Sequence, residues 1–375
     1  MKANFYIVCP PPVTATTTTG GYLFAGYLTT PGRVDKISSS TMSLVKTFTA
    51  PSGHNQVWAL TSLSSYVYAG YLTTPGHVDK ISPSTMSLVK TFTAPSGHNQ
   101  VNALTSLSGY LFAGYSTSPG HVDKISPSTM TLVNTFTAPS GHSYVNALTT
   151  LSGYLFAGYF NSPGYVDKIN PSTMTLVKTF TPPSLPNYAR GLTAISGYVF
   201  VGYAITPGYI DKINPSTMTL VNSYISYAGS NTVWALTSIS GYVFVGYAIT
   251  PGPGRVRKID ASTMTLVKTF VAPSGHNLVR SLTSLSGYIF VGYSTAPGRV
   301  DKISPSTMSL VKTFTAPSGH NYTVSLTSLF GYVFAGYLVN PGYVDKIYPS
   351  TMTLVKTFTA PSGHHTIRAL TSLAT

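Results

Sequence analysis

A seven-residue segment recurs eight times along this chain. The first copy is Gly21-Tyr22-Leu23-Phe24-Ala25-Gly26-Tyr27, and related copies begin at residues 65, 109, 153, 197, 241, 287 and 331. Six of the seven intervals are 44 residues, and one is 46 because Pro-Gly is duplicated at 251–254. A fixed period of this length indicates one supersecondary unit per copy, with each unit stacked on its neighbours.

Each repeat contains four short segments of β-branched and aromatic residues separated by Pro, Gly, Ser and Asn, which is typical of strands and tight turns. In the second repeat they are strand A (57–63), strand B (66–71), strand C (77–81) and strand D (88–93). Strand B is apolar on both faces, as in a sheet packed between two others. The pattern predicts an all-β, eight-bladed β-propeller of four-stranded blades. A β-solenoid is the rival, but its coils are usually shorter and it needs capping repeats, none of which is evident.

The repeat resembles the YVTN-type propeller repeats of surface-layer and other cell-surface proteins. The resemblance lies in strand B followed by Val-Asp-Lys-Ile, Pro-Ser-Thr-Met-Thr and Leu-Val-Lys-Thr-Phe, as in Val166 to Phe180, and it covers residues 21–375. Phe-Ala-Gly-Tyr or Phe-Val-Gly-Tyr stands where the name-giving Tyr-Val-Thr-Asn is expected. The resemblance implies a propeller and a cell-surface role, and it implies no catalytic residues.

Strand counting predicts how the ring closes. The last A strand, Ile367 to Leu373, has no B strand after it, whereas the B strand at Tyr22 has only a degenerate, threonine-rich copy, 13–19, before it. We expect the C-terminal strand to complete the first blade, so that residues 20–375 form the propeller and residues 1–19 an extension. That extension contains an apolar stretch, Phe5, Tyr6, Ile7 and Val8, followed by three prolines. Two interpretations are open: a flexible leader or a strand lying across the ring, and a strand donated to a neighbouring subunit.

Composition narrows the classes of partner. The chain has no Glu and only eight Asp, against 22 Lys and Arg, for a net charge of +14. The basic residues are spread one or two per repeat, which argues against nucleic acid but leaves glycans and acidic polymers as partners. The single cysteine excludes an internal disulfide, and no apolar run approaches the roughly 20 residues of a membrane span. Charged residues make up only 8%, which favours an extracellular or cell-surface location.

Comparison of the copies with one another separates two faces of the disc. The A–B and C–D turns barely vary, and we call their side the invariant face. The D–A and B–C connections vary most, and we call their side the variable face. Two columns there carry most arginines and both tryptophans, which are frequent in binding hot spots. The candidate ligand residues are Trp58, Trp234, Arg190, Arg280, Arg368, Arg33, Arg299, His77 and His121. The alternative is that these are exposed positions where drift is tolerated.

The residues that could carry other chemistry are repeated rather than clustered. Histidines recur in Ser-Gly-His, but equivalent positions on separate blades cannot converge to Zn–N distances of about 2.0–2.1 Å, so no metal site is expected. The recurring Asp-Lys pair points to opposite faces of strand C and is interpreted as part of a ring of structural hydrogen bonds or ion pairs. The acids come one per blade, and there is no phosphate-binding GxxxxGK[ST] loop. We therefore expect neither an enzyme nor a cofactor.

Two functions follow as expectations. The first is an extracellular structural or scaffold protein that self-assembles into chains or filaments through its N-terminal strand, as a homo-oligomer. The alternative is a multivalent, lectin-like propeller that binds glycans through its variable face.

Overall fold

The computed structural model describes residues 21–183, 188–226, 232–248 and 252–373. These residues form eight four-stranded antiparallel sheets, which confirms the eight-bladed propeller predicted from the repeat. In every blade the strand order is A-B-C-D, with strand A at one sheet edge and strand D at the other. Each regular element in the described ranges is a strand, so none of them is a helix long and apolar enough to cross a membrane.

The strands are numbered in chain order, and blade 1 takes its strand A from the end of the chain. Blade 1 contains β1 Tyr22–Tyr27, β2 Arg33–Ser38 and β3 Leu44–Thr49; blade 2 contains β4 Val57–Leu63, β5 Tyr66–Tyr71, β6 His77–Ser82 and β7 Ser87–Thr93. Blade 3 contains β8 Val101–Leu107, β9 Tyr110–Tyr115, β10 His121–Ser126 and β11 Thr131–Thr137; blade 4 contains β12 Val145–Leu151, β13 Tyr154–Tyr159, β14 Val166–Asn170 and β15 Thr175–Phe180. Blade 5 contains β16 Ala189–Ile195, β17 Tyr198–Tyr203, β18 Tyr209–Asn214 and β19 Thr219–Ile225; blade 6 contains β20 Val233–Ile239, β21 Tyr242–Tyr247, β22 Arg255–Asp260 and β23 Leu266–Val271. Blade 7 contains β24 Val279–Leu285, β25 Tyr288–Tyr293, β26 Arg299–Ser304 and β27 Ser309–Thr315; blade 8 contains β28 Thr323–Leu329, β29 Tyr332–Tyr337, β30 Tyr343–Tyr348 and β31 Thr353–Thr359, and β32 Ile367–Leu373 returns to blade 1.

Burial follows the position of each strand in its blade. Strand B is buried along almost its whole length and strand C is buried except at its ends, because both lie between the sheets of neighbouring blades. Strand D is largely exposed at the outer rim. Strand A is half-buried after its first residue, as expected for a strand that faces the central axis of the ring.

The ring is closed by the two ends of the described chain. Strand β32 pairs antiparallel with β1, with Leu373 opposite Tyr22 and Ile367 opposite Tyr27. This is the pairing expected from the strand count. The same junction is tied on both faces, because His364 Nδ1 donates to Asp35 Oδ2 at 2.9 Å and Lys346 Nζ donates to the Ser39 carbonyl at 2.7 Å.

On the variable-face side, a buried histidine joins neighbouring blades. In the link from blade 6 to blade 7, His276 Nδ1 donates to Asp301 Oδ2 of blade 7 at 2.9 Å, and the His276 carbonyl accepts from Gly254 N of blade 6 at 2.7 Å. Asp301 also accepts from Thr313 Oγ1 at 2.6 Å and from the Tyr293 hydroxyl at 2.8 Å. The histidine–aspartate bond occurs in six blades at 2.9–3.0 Å.

Blades 5 and 6 depart from this network. Asp211 of blade 5 has no histidine in the link before it, and burial raises the pKa of its carboxyl despite the hydrogen bond that Ser223 Oγ donates to Asp211 Oδ1 at 2.6 Å. In blade 6 the aspartate is replaced by Arg257, whose Nη1 donates to the Tyr224 hydroxyl at 2.8 Å. The sequence variation expected on the variable face therefore extends to the buried strand C residues beneath that face.

Glycine in strand B sets how closely successive blades approach. A Cβ added at Gly114 would lie 2.5 Å from Val145 Cγ1 of the next blade, whereas at Gly158 the nearest atom is the Cβ of Ala189, at 3.2 Å. Gly114→Ala should therefore lower the free energy of unfolding by about 1–3 kcal/mol, as overpacking does, and Gly158→Ala by clearly less. Chemical denaturation of the two variants measures the difference, and equal losses would show that the valine does not set the spacing.

Candidate ligand-binding face

A β-bulge positions the inner column of variable residues. In blade 2, Val57 pairs with Tyr71 and Ala59 with Gly70, so that Trp58 has no partner in the ladder. Such a bulge redirects one side chain and is frequent beside functional sites. The second residue of strand A is skipped in the same way in all eight blades. In ring order from blade 1 this inner column is Arg368, Trp58, Asn102, Asn146, Arg190, Trp234, Arg280 and Val324.

The two tryptophans hold arginines from neighbouring blades. Trp234 contacts two guanidinium groups, with the Cζ atoms of Arg280 and Arg190 at 3.8 and 4.5 Å from its ring centroid. The Cζ atom of Arg368 lies 3.9 Å from the ring of Trp58. These are cation–π distances. Both indoles are thus engaged by arginine, which leaves less free ring surface for a ligand than the sequence suggested.

The three arginines are coupled electrostatically across the ring. Arg190 and Arg368 belong to blades 5 and 1, on opposite sides of the ring, yet repulsion from Arg190 together with burial lowers the pKa of Arg368. Burial and repulsion from both other arginines lower the pKa of Arg280 to about 10, so it is still charged at neutral pH. We call Arg190, Arg280 and Arg368 the arginine cluster.

Nothing acidic balances this cluster. Seven of the eight aspartates are buried in strand C, at 0–1% exposure, and the eighth, Asp260, ends strand C of blade 6 on the invariant face. All eight fall among the described residues, and the chain has no glutamate. Arg368 Nε is buried and has no hydrogen-bond partner among those residues. Three half-buried, mutually repelling cations without a counter-charge favour binding of an anion.

Next to the cluster lies an aromatic depression that the sequence analysis missed. It has a volume of about 350 Å³ and is lined by Asn102, Ser116, Tyr144, Asn146, Phe160 and Tyr188. Phe160 and Tyr188 stack with centroids 4.5 Å apart, and Arg190 lies beside them with its Cζ 6.0 Å from the Phe160 centroid. Tyr144 and Tyr188 occupy the residue before strand A, at positive φ. A comparison of the eight copies at the residue before strand A would have identified both tyrosines.

The outer column of candidate residues packs on the buried histidines. His77 stacks on His54 and His121 on His98, each with centroids 4.0 Å apart. Arg33 and Arg299 take the equivalent place in blades 1 and 7, beside the Gly-His links at Gly363 and Gly275. Burial and the neighbouring histidine lower the pKa of His77 and of His121. These four residues surround the inner column and do not join the arginine cluster.

Phe5, Tyr6, Ile7 and Val8 lie outside the described residues. Within the described ranges no group of three or more His, Cys, Asp or Glu side chains is placed to hold a metal ion.

Comparisons with known proteins identify the fold. No protein-family model matches the chain, and no curated protein matches it in sequence. Among solved structures, it is similar to the computationally designed Ika8 protein (15% identity, TM-score 0.68, covering 83% of this chain and 88% of that one). It is also similar to the dihydro-heme d1 dehydrogenase NirN in complex with DHE (11%, 0.69, 98% and 77%) and to BamB from Moraxella catarrhalis (15%, 0.61, 83% and 88%). At these identities the likeness concerns the fold alone.

Proposed function

We propose that this protein is a non-enzymatic binding propeller that holds an acidic polymer, such as an acidic glycan, at the centre of its variable face. The observation that carries the proposal is the arginine cluster, in which guanidinium groups from blades 5 and 7 share the ring of Trp234, repulsion couples both to the guanidinium of blade 1, and no carboxylate balances them. A guanidinium binds carboxylate, sulfate or phosphate through two parallel hydrogen bonds, and stacking on tryptophan fixes its orientation. The aromatic depression beside Arg190 offers room for the uncharged part of one polymer unit.

The absence of catalysis and the location are parts of the same proposal. The buried aspartates come at most one per blade, and six of the seven bind a histidine that joins neighbouring blades, which supports a role without carboxylate catalysis. A cell-surface or extracellular location is supported by the low content of charged residues and by the resemblance of the repeat to YVTN-type propellers.

The test measures binding of heparin and polygalacturonate, with dextran as the neutral polymer. Arg280→Gln should weaken binding of an acidic polymer about 10- to 100-fold, because a hydrogen-bonded charge contact is lost. The matched control is Lys90→Gln, which removes one positive charge from the exposed rim and should change affinity by no more than about twofold. Equal effects of the two substitutions, or equal affinity for dextran, would show that binding does not use the arginine cluster.

Self-assembly is a second candidate, favoured by the apolar outer rim. Seven blades expose a Leu-Val pair on strand D, with the valines 46–47% accessible: Leu44-Val45, Leu88-Val89, Leu132-Val133, Leu176-Val177, Leu266-Val267, Leu310-Val311 and Leu354-Val355. Repeated apolar rim positions suit lateral contacts between discs. The particle mass of the same samples addresses this candidate, since chains or filaments support it and single discs at every concentration count against it.

A further inference from the structure

On the invariant face, clefts lie between neighbouring blades at three of the described blade interfaces. The cleft between blades 1 and 2 has a volume of about 720 Å³, and those between blades 6 and 7 and between blades 5 and 6 about 470 and 440 Å³. All three use the same positions: the first tyrosine of strand B, the strand C lysine, and the next blade's tyrosine and C–D turn. In the first cleft these are Tyr22, Lys36, Tyr66 and residues 82–84.

Each cleft is built around a fixed ammonium group. In all eight blades the strand C lysine Nζ lies 3.6–3.9 Å from the centroid of the strand B tyrosine. In seven blades it also donates to a C–D turn carbonyl of the next blade, at 2.6–3.0 Å. The hydrogen bond spans the blade interface, so the walls of the cleft are held rigidly before any ligand enters.

The surfaces left open in the cleft suit a saccharide. The ammonium group of Lys36 has three N–H donors, of which one serves the Pro83 carbonyl. Burial lowers the pKa of Lys36, which means that its ammonium lacks part of its hydration and gains from a further acceptor. Ser65 and Ser84 are exposed at the mouth, and Tyr66 is half-buried on the far wall. Hydroxyl donors and acceptors beside aromatic carbon match a sugar ring, which has hydroxyls at its edge and C–H groups on its faces.

We propose that each of the eight blade interfaces on the invariant face, at all of which the lysine–tyrosine contact recurs, is an equivalent subsite that holds one hydroxyl-rich sugar unit. Several copies of one ligand can bind alike only where the same residues recur in each blade. The variable face does not meet this condition, since its inner column changes from Arg to Trp, Asn and Val around the ring. Multivalent glycan binding therefore belongs to the invariant face, and simultaneous occupation would raise the avidity for a branched or repeating glycan.

The test counts bound sugars. Saturation-transfer NMR with the methyl glycosides of glucose, galactose, mannose and N-acetylglucosamine identifies a responding sugar, and equilibrium dialysis of that sugar gives the number bound per chain. We expect a number that approaches eight at saturation. Ser84→Trp, which fills the mouth of the first cleft from an exposed turn, should reduce it by one.

Two controls separate this site from the arginine cluster. Ser52→Trp, an exposed serine in the link between blades 1 and 2 on the variable face, should leave the count unchanged. Arg280→Gln should also leave it unchanged, so this proposal can fail while the acidic-polymer proposal holds, and the reverse. No response from any of the four sugars, or a saturating count of one that is lost in Arg280→Gln, would overturn the inference.

Discussion

Removing residues 367–375 should lower the free energy of unfolding by at least about 5 kcal/mol and convert the closed ring into an open one. The deletion takes away the whole of strand β32, in which Ile367 is fully buried and Leu370 packs in the core between blades 8 and 1. Truncating one such side chain typically costs about 2–5 kcal/mol. It also leaves the buried strand Tyr22–Tyr27 with a free edge. Thermal unfolding and small-angle scattering report the loss of stability and the opening.

A circular permutant is the matched control. Placing residues 366–373 and a Ser-Gly turn directly before Tyr22 keeps every strand and joins blade 1 as the chain joins most other blades, for example through Ser108-Gly109. The permutant should unfold at nearly the same temperature as the original chain. If the deletion variant also did so, closure by the C-terminal strand would be wrong.

Asp301→Asn should lower the free energy of unfolding by about 2–4 kcal/mol. The carboxylate accepts hydrogen bonds from His276, Tyr293 and Thr313 in a buried site. An amide has one oxygen acceptor and presents an N–H₂ group to donors, so buried donors are left unsatisfied, at about 1–3 kcal/mol each.

The same change at Asp260 is the control. Asp260 is half-buried at the end of strand C, outside the buried network, and its Oδ1 accepts from Ser262 N at 2.8 Å in the C–D turn. Asn170 and Asn214 make the equivalent bond to Ser172 N and Ser216 N in blades 4 and 5. Asp260→Asn should therefore leave the denaturation midpoint unchanged. Similar losses at both positions would mean that the buried network contributes nothing specific.

Most of the fold could be read from the sequence because each blade is encoded locally. Turn residues and alternating apolar residues within 44 positions define four strands, and counting strand A predicts the pairing of Ile367–Leu373 with Tyr22–Tyr27. The histidine–aspartate bond was missed because its partners lie 25 residues apart. A signal was present, since blade 6, in which Arg257 replaces the aspartate, also lacks the preceding histidine.

The site was only partly predictable, for a geometric reason. The sequence placed Arg190, Arg280, Arg368 and both tryptophans in one variable column. It did not indicate that a bulge directs that column inward, or that Arg190 and Arg368, from opposite blades, come near enough to repel each other. Contacts across the axis depend on closure of the ring, which no single repeat encodes. The sequence therefore identified the three arginines but not the repulsion between them.

The split composition of blade 1 has a consequence during protein synthesis. Strand Tyr22–Tyr27 is completed 346 residues before its partner strand, since 373 minus 27 is 346. At about 5–20 residues per second this delay lasts about 20–70 s. Throughout it the nascent chain presents an apolar strand edge. The segments best able to pair with that edge are the A strands of other copies, which are nearly identical to the strand that belongs there. We therefore expect that, where this edge mispairs, its partner is a strand A of another copy synthesised on a neighbouring ribosome.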